Sequence, residues 1–163
     1  MVRLARRGDA LSLGRFFVKS WREAGPGSLG FTGANDDAIH AIASEEFLTK
    51  RLASQNTRIL IAERGGEVLG FASVRRGGGM LAELTGIVVL KAESRRGLGT
   101  RLLRKACDAA ARLGYSNMTV KTEAFNAGAI AFYKKNGFLE RRKTTEKIGR
   151  TDVPLMILER RLR

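Results

Sequence analysis

The chain has 163 residues, 44% of them hydrophobic, enough for one domain with a buried core and too few for a second full domain. Its 30 Lys and Arg against 16 Asp and Glu leave a formal charge of +14, which attracts polyanions such as nucleic acid, nucleotides or an acidic protein without choosing among them. The only cysteine, Cys107, excludes an internal disulfide and a cysteine-based metal cluster, and no apolar run is long enough for a membrane span.

The opening MVRLARRGDALSLGRFF is broken by Arg3, Arg6, Arg7, Asp9 and Arg15. It predicts no signal peptide, so a reducing, cytoplasmic setting is expected. Val2 to Ala5 reads as a short strand. Asp9 is the expected cap of a helix to about Glu23, with Leu13, Phe16, Phe17 and Trp21 near helical spacing. After the glycine-rich GPGSLGFTGAND, Asn35 or Asp36 is expected to cap one helix carrying Ile39, Ile42, Phe47, Leu48 and Leu52 on its buried stripe.

Strands at 58–64 and 68–75 flank the tight turn Arg64-Gly65-Gly66-Glu67, and a third at 80–90 follows Gly77-Gly78-Gly79. Leu98, Leu102, Leu103, Ala106, Ala110 and Leu113 then recur with helical spacing until Gly114 stops the helix. A strand at 116–122, a helix from about Asn126 to Asn136, and strands at 138–145 and 153–160 around the polar turn EKIGRTD complete the chain. The pattern predicts an α+β fold, a mixed and mostly antiparallel sheet flanked by helices, forming a single domain over 1–163.

The chemistry concentrates in Ser94-Arg95-Arg96-Gly97-Leu98-Gly99-Thr100, between a strand and a helix. Gly97 and Gly99 remove side chains where a ligand must approach the backbone, and the free N–H groups of the following helix attract phosphate. The segment reads as a pyrophosphate cradle. Neither GxGxxG nor the Walker pattern occurs in the chain, which argues against the common nucleotide folds. Further on, Asn126 and Tyr133 are separated by about two helical turns, so they project from one face and can touch one elongated ligand. The alternative is a capping Asn126 and a half-buried packing Tyr133.

The run GIVVLKAESRRGLGTRLLRKACDAAARLG resembles the acetyl-CoA-binding segment of the GNAT superfamily of N-acetyltransferases, whose loop reads Arg/Gln-x-x-Gly-x-Gly/Ala. Both glycine positions agree, and Ser94 stands where the leading Arg or Gln is usual. Asn126, Ala129, Tyr133, Gly137 and Phe138 match a second block of the same family at its spacing. The resemblance implies direct attack of an amine on the acetyl-CoA thioester, with no metal. Tyr133 would protonate the departing sulfur and Asn126 would hydrogen-bond the pantetheine arm. The backbone of Ile87, Val88 and Val89 would hold the thioester.

For the base that takes the amine proton, the resemblance suggests Glu83, a position where some histone-modifying members carry glutamate. By strand parity Glu83, Thr85, Ile87 and Val89 share a face unless a bulge intervenes. Other members place the base where this chain has Lys121, which argues against that arrangement; Glu123 is the second choice. His40 reads as structural or exposed and Cys107 as a small buried residue.

The acceptor walls are expected at Gly25 to Asp37 and Glu146 to Asp152, and neither names the acceptor: a small molecule, a peptide N-terminus and a lysine side chain all stay open, as does a homodimer. Two other functions stay open beside the enzyme. One is a nucleic-acid-binding module, motivated by pairs such as Arg6-Arg7 and Lys134-Lys135 but lacking interleaved aromatics. The other is an acetyl-CoA sensor without transferase activity.

Overall fold

Runs rich in Val, Ile and Leu alternate with amphipathic helices, and in the computed structural model, which describes residues 1–25, 28 and 34–162, they build one seven-stranded sheet. The strands are β1 (Val2–Leu4), β2 (Thr57–Arg64), β3 (Glu67–Arg76), β4 (Leu81–Val89), β5 (Asn117–Glu123), β6 (Leu139–Ile148) and β7 (Thr151–Arg161). The helices are α1 (Ala10–Ala24), α2 (Asp36–Ile42), α3 (Glu45–Ala53), α4 (Leu98–Arg112) and α5 (Ala127–Lys135). The strand order is β1-β2-β3-β4-β5-β7-β6, and the β4–β5 pair is parallel while the other pairs are antiparallel. This is the expected α+β fold.

Each face of the sheet buries its own core. Helices α4 and α5 cover one, where Leu102, Leu103, Met118, Phe138 and Leu158 pack with Ala82 and Leu84. On the other, Leu13 and Phe16 of α1 and Leu48 of α3 close over Ile59, Ile61 and Phe71. The edge strand β6 is almost wholly exposed and carries Arg141, Arg142, Lys143 and Lys147, charges that discourage pairing with another chain.

The structure departs from the sequence reading at three places. The single helix expected across 36–52 is two, because Ser44 accepts the Phe47 N–H at 3.3 Å and starts α3 afresh, while Asn35 caps α2 by accepting from Ala38 N–H at 2.8 Å. Asp9 stands at the N-cap position of α1 but makes no side-chain capping bond. Its carboxylate accepts the Arg6 N–H at 2.6 Å and pairs with Arg3, which also binds Glu63 at 2.8 Å and so ties the N-terminus to β2. The β6–β7 hairpin also runs deeper into EKIGRTD than expected, leaving a turn around Gly149 at φ 62°.

The break between α2 and α3 packs on α1 at Gly14, where an added Cβ would lie 2.3 Å from the Ala43 carbonyl oxygen. Backbone cannot yield as a flexible side chain does. Gly14→Ala should therefore destabilise the protein by about 1–3 kcal/mol in urea unfolding, although alanine is the better helix former. A midpoint equal to or above wild type would show that α2 and α3 do not dock there.

Candidate active site

Strands β4 and β5 pair only from Leu81↔Asn117 to Leu84↔Val120. Beyond that point β4 stays with β3 through Gly70↔Val89, and β5 stays with β7 through Glu123↔Leu155, so the sheet opens into two leaves. A bulge marks the place: Val74 faces Leu84 and Ser73 faces Gly86, leaving Thr85 as the extra residue of β4. The opening is a cleft of about 740 Å³ lined by Glu83, Ile87 and Val88 from one leaf, Lys121 and Glu123 from the other, and Tyr133 of α5. Along it the outer backbone groups of β4 beyond the bulge have no strand partner among the described residues.

The bulge corrects the parity expected for Glu83. Ile87 and Val89 pack with the α4-side core, as Ala82 and Leu84 do, whereas Val88 packs with the α1-side core. Glu83 therefore faces away from Ile87 and Val89.

The loop at the cleft's end carries the other half of the predicted site. After a short 3-10 turn at Lys91–Glu93, Gly97 adopts φ 78° as it enters α4, and an added Cβ there would meet nothing within 4 Å. Arg95 also takes a left-handed φ of 62°, costing about 1 kcal/mol or more for a residue with a side chain. Arg101 N–H donates to Gly97 O at 3.0 Å as the first bond of α4, so the N–H groups of Leu98, Gly99 and Thr100 precede the ladder and are available to an anion. The Ser94 N–H bonds Lys91 O at 3.1 Å, and its hydroxyl reaches Leu90 O at 3.5 Å. Arg95 and Arg96 are exposed beside the loop, and Arg96 lies 4.0 Å from Glu93.

Helix α5 is set against this loop. Phe132 sits where a Cβ on Gly99 would be 3.6 Å from its ring, and the next residue, Tyr133, is buried at 6% exposure between Phe132 and Phe138. Burial, and then the nearby Glu123 charge, push the Tyr133 phenol up to about 12. It is therefore a protonated donor throughout the neutral range. Asn126 is the N-cap of α5: its Oδ1 accepts the Ala129 N–H at 3.1 Å and its Nδ2 donates to Glu123 at 3.3 Å. The capping and cleft-lining readings of Asn126 hold together, since its amide also borders the cleft.

On the opposite side Arg75 donates to Glu83 at 2.6 Å, and Lys121 donates to Glu146 of β6 at 2.5 Å. Arg51 of α3 and Ile148 at the tip of β6 also reach the cleft. Arg51 and Arg75 did not stand out in the sequence as cleft residues, because α3 and the β3 end reach the cleft only through tertiary packing, whereas Glu146 and Ile148 fall within the acceptor wall expected at Glu146 to Asp152. Cys107 is buried against Met118, its Sγ 3.9 Å from Sδ, and burial raises its thiol, so it is an inert core residue. His40 is exposed on α2. Of the expected acceptor wall at 25–37, residues 26, 27 and 29–33 lie outside the described residues. No group of three or more His, Cys, Asp or Glu among the described residues is arranged to hold a metal, and no helix among them is long and apolar enough to cross a membrane.

Comparison with known proteins agrees with this arrangement. The Acetyltransferase (GNAT) family matches residues 27–138. An uncharacterized N-acetyltransferase of Bacillus subtilis, YhfO, is 30% identical over 148 residues, covering 85% of this chain and 89% of that protein. In fold, the chain is similar to the PaiA N-acetyltransferase of Thermoplasma acidophilum in complex with coenzyme A, with a TM-score of 0.77 at 20% identity over 99% of this chain and 98% of that one. It is also similar to the ribosomal-protein-S18-alanine N-acetyltransferase of Escherichia coli, with a TM-score of 0.72 at 18% identity over 99% and 93%.

The buried phenol has a measurable signature. A free tyrosine ionises near about 10, so the native state holds the Tyr133 proton more tightly than the unfolded chain does. Its contribution to stability is complete below that pH and lost as pH rises toward about 12. Tyrosinate absorbance should therefore show a step near pH 12 that disappears in Tyr133→Phe. A variant with an unchanged upper step would place the phenol in solvent.

Proposed function

Because the chain belongs to the GNAT family and is an acetyl-CoA-dependent acetyltransferase, we propose that the cleft between β4 and β5 transfers the acetyl group directly to a primary amine. The observation that carries this reading is a cleft that holds both the β4 edge beyond its pairing with β5 and a buried protonated tyrosine, with the glycine-opened N-terminus of α4 following where β4 ends. The open space at Gly97 and the free N–H groups that follow fit a pyrophosphate. A single sheet running through the described residues supports a one-domain enzyme. The nucleic-acid alternative is not favoured.

Acetyl-CoA supplies an activated acetyl group as a thioester. In this reading the backbone from Arg95 to Thr100 binds the pyrophosphate, with Ser94 contributing loop geometry rather than a side-chain contact. The β4 edge at Ile87, Val88 and Val89 bonds the pantetheine arm and carbonyl as an added strand would be bonded, with the Asn126 amide beside it. Glu83, held by Arg75, takes the amine proton through water, so that the nitrogen lone pair can form the new C–N bond. As the C–S bond breaks, the Tyr133 hydroxyl donates to the leaving sulfur. The products are an amide and free CoA. Glu123, buried next to Tyr133 and Asn126, is the second candidate for the base.

Three substitutions test the roles, with released CoA and acetyl-CoA binding as separate readouts. Tyr133→Phe should lower turnover by about 10²- to 10⁴-fold with acetyl-CoA affinity nearly intact, since a positioned proton donor acts on the chemical step. Full turnover in this variant would remove Tyr133 as the acid. Glu83→Gln should be slower and gain rate with rising pH as solvent deprotonates the amine; a wild-type pH profile would move the base to Glu123 or to water. Gly99→Val should lose acetyl-CoA binding while staying folded, and unchanged affinity would contradict the loop assignment.

A further inference from the structure

Arg51 stands apart among the charged residues of the cleft. Arg75 is paired with Glu83 and Lys121 with Glu146, whereas Arg51 makes no ion pair among the described residues. Its one hydrogen bond to a side chain runs from Nη2 to the buried Ser73 hydroxyl at 3.2 Å, a neutral partner. The residue is half-buried. Burial, and then the neighbouring Arg75 charge, lower its guanidinium from the ordinary value. A cation drawn out of water next to a second cation, without an anion, is unfavourable unless something else completes it.

Arg51 also joins two cavities. It lines the cleft between β4 and β5, and with Thr85 it lines a smaller apolar pocket of about 170 Å³ under α1 and α3. Phe17, Ile42, Phe47 and Phe71 form much of that pocket's wall. Ile42 and Phe47 are 38% and 40% exposed, unusual for large apolar side chains beside a core and consistent with a surface covered by ligand. An apolar pocket with one fixed cation at its mouth orients a ligand that has both characters.

We propose that the acceptor is an amine that also bears a carboxylate and an apolar side chain, its carboxylate held by Arg51 and its side chain in the Phe17, Ile42, Phe47 and Phe71 pocket. This rests on the acetyltransferase reading and narrows it to amino acids and close relatives. The guanidinium fork matches a carboxylate in two parallel hydrogen bonds, which a lysine could not provide. Glu83 lies in the same cleft and supplies the complementary charge for the incoming ammonium group before its proton is removed. Anion, cation and apolar contacts thus bracket one small molecule.

The test measures released CoA with phenylalanine and leucine against their amides, phenylalaninamide and leucinamide. Acetyl-CoA binding by calorimetry and folding by thermal melting accompany each protein. Wild type should prefer each acid by about 10- to 100-fold in kcat/KM, the worth of a charge-assisted hydrogen-bonded pair. Arg51→Gln should bring the acid-to-amide ratio close to one, and Arg51→Lys should keep part of the preference. Wild type using the amides as well as the acids would overturn the proposal, as would Arg51→Gln lowering both alike with the ratio unchanged. Acetyl-CoA binding with none of these acceptors acetylated would overturn it while leaving the acetyltransferase reading in place. Absence of acetyl-CoA binding by wild type would remove that reading and this one together.

Discussion

The β4–β5 pair ends after Leu84 and Val120, and the site depends on that ending. Parallel strands normally keep their ladder, because an unpaired N–H or carbonyl removed from water is costly. Here the extra residue Thr85 shifts β4 by one position against β3, reverses which side chains face each core and bends the strand away from β5. Each strand keeps its other partner, so the sheet splits without losing either leaf. What would be a defect in a continuous sheet becomes an open edge, the one along which the proposed reading lays an extended ligand.

The two ends of that edge differ in chemistry because different elements close them. At one end β4 runs into the turn before α4, where the sequence places four basic residues, Lys91, Arg95, Arg96 and Arg101, with Glu93 as the nearby acid. Much of the +14 charge lies elsewhere, dispersed over exposed strands and helices, where salt screens it. At the other end α3 and the β6–β7 hairpin bring paired charges and an arginine, Arg51, without an ion pair among the described residues. In the proposed reading, phosphate recognition is thus a backbone property near α4, and acceptor recognition is a side-chain property far from it.

Local spacing made half of this legible. Gly97, Gly99, Asn126 and Tyr133 could be picked out because each proposed role follows from position within one turn or one helix, and the left-handed φ of Gly97 and the cap at Asn126 are local features of the same kind. The break at Ser44 was also written in the chain, as serine followed by Glu45 and Glu46, and was masked by an apolar stripe that continues across it. Glu83 was harder, since its facing depends on a bulge that only pairing with β3 creates. Arg51 left no trace at all. Its chemistry comes from what α3 packs against, and a charged residue on an amphipathic helix ordinarily faces water.

Burial of Tyr133 joins the two functions of α5. The ring fills a slot between Phe132 and Phe138, which fixes the hydroxyl and removes it from water, and the same desolvation keeps the proton on oxygen. Glu123 adds to the effect, and Asn126 holds Glu123 at the helix entrance while capping the helix. A tyrosine in solvent would be the stronger acid in water. In the proposed role the buried phenol, though the weaker acid, makes the stronger hydrogen bond to a departing thiolate, because it acts where little water competes and where charge on sulfur has few other partners. In the proposed mechanism the packing that makes α5 stable is therefore the same packing that readies its hydroxyl for the leaving group.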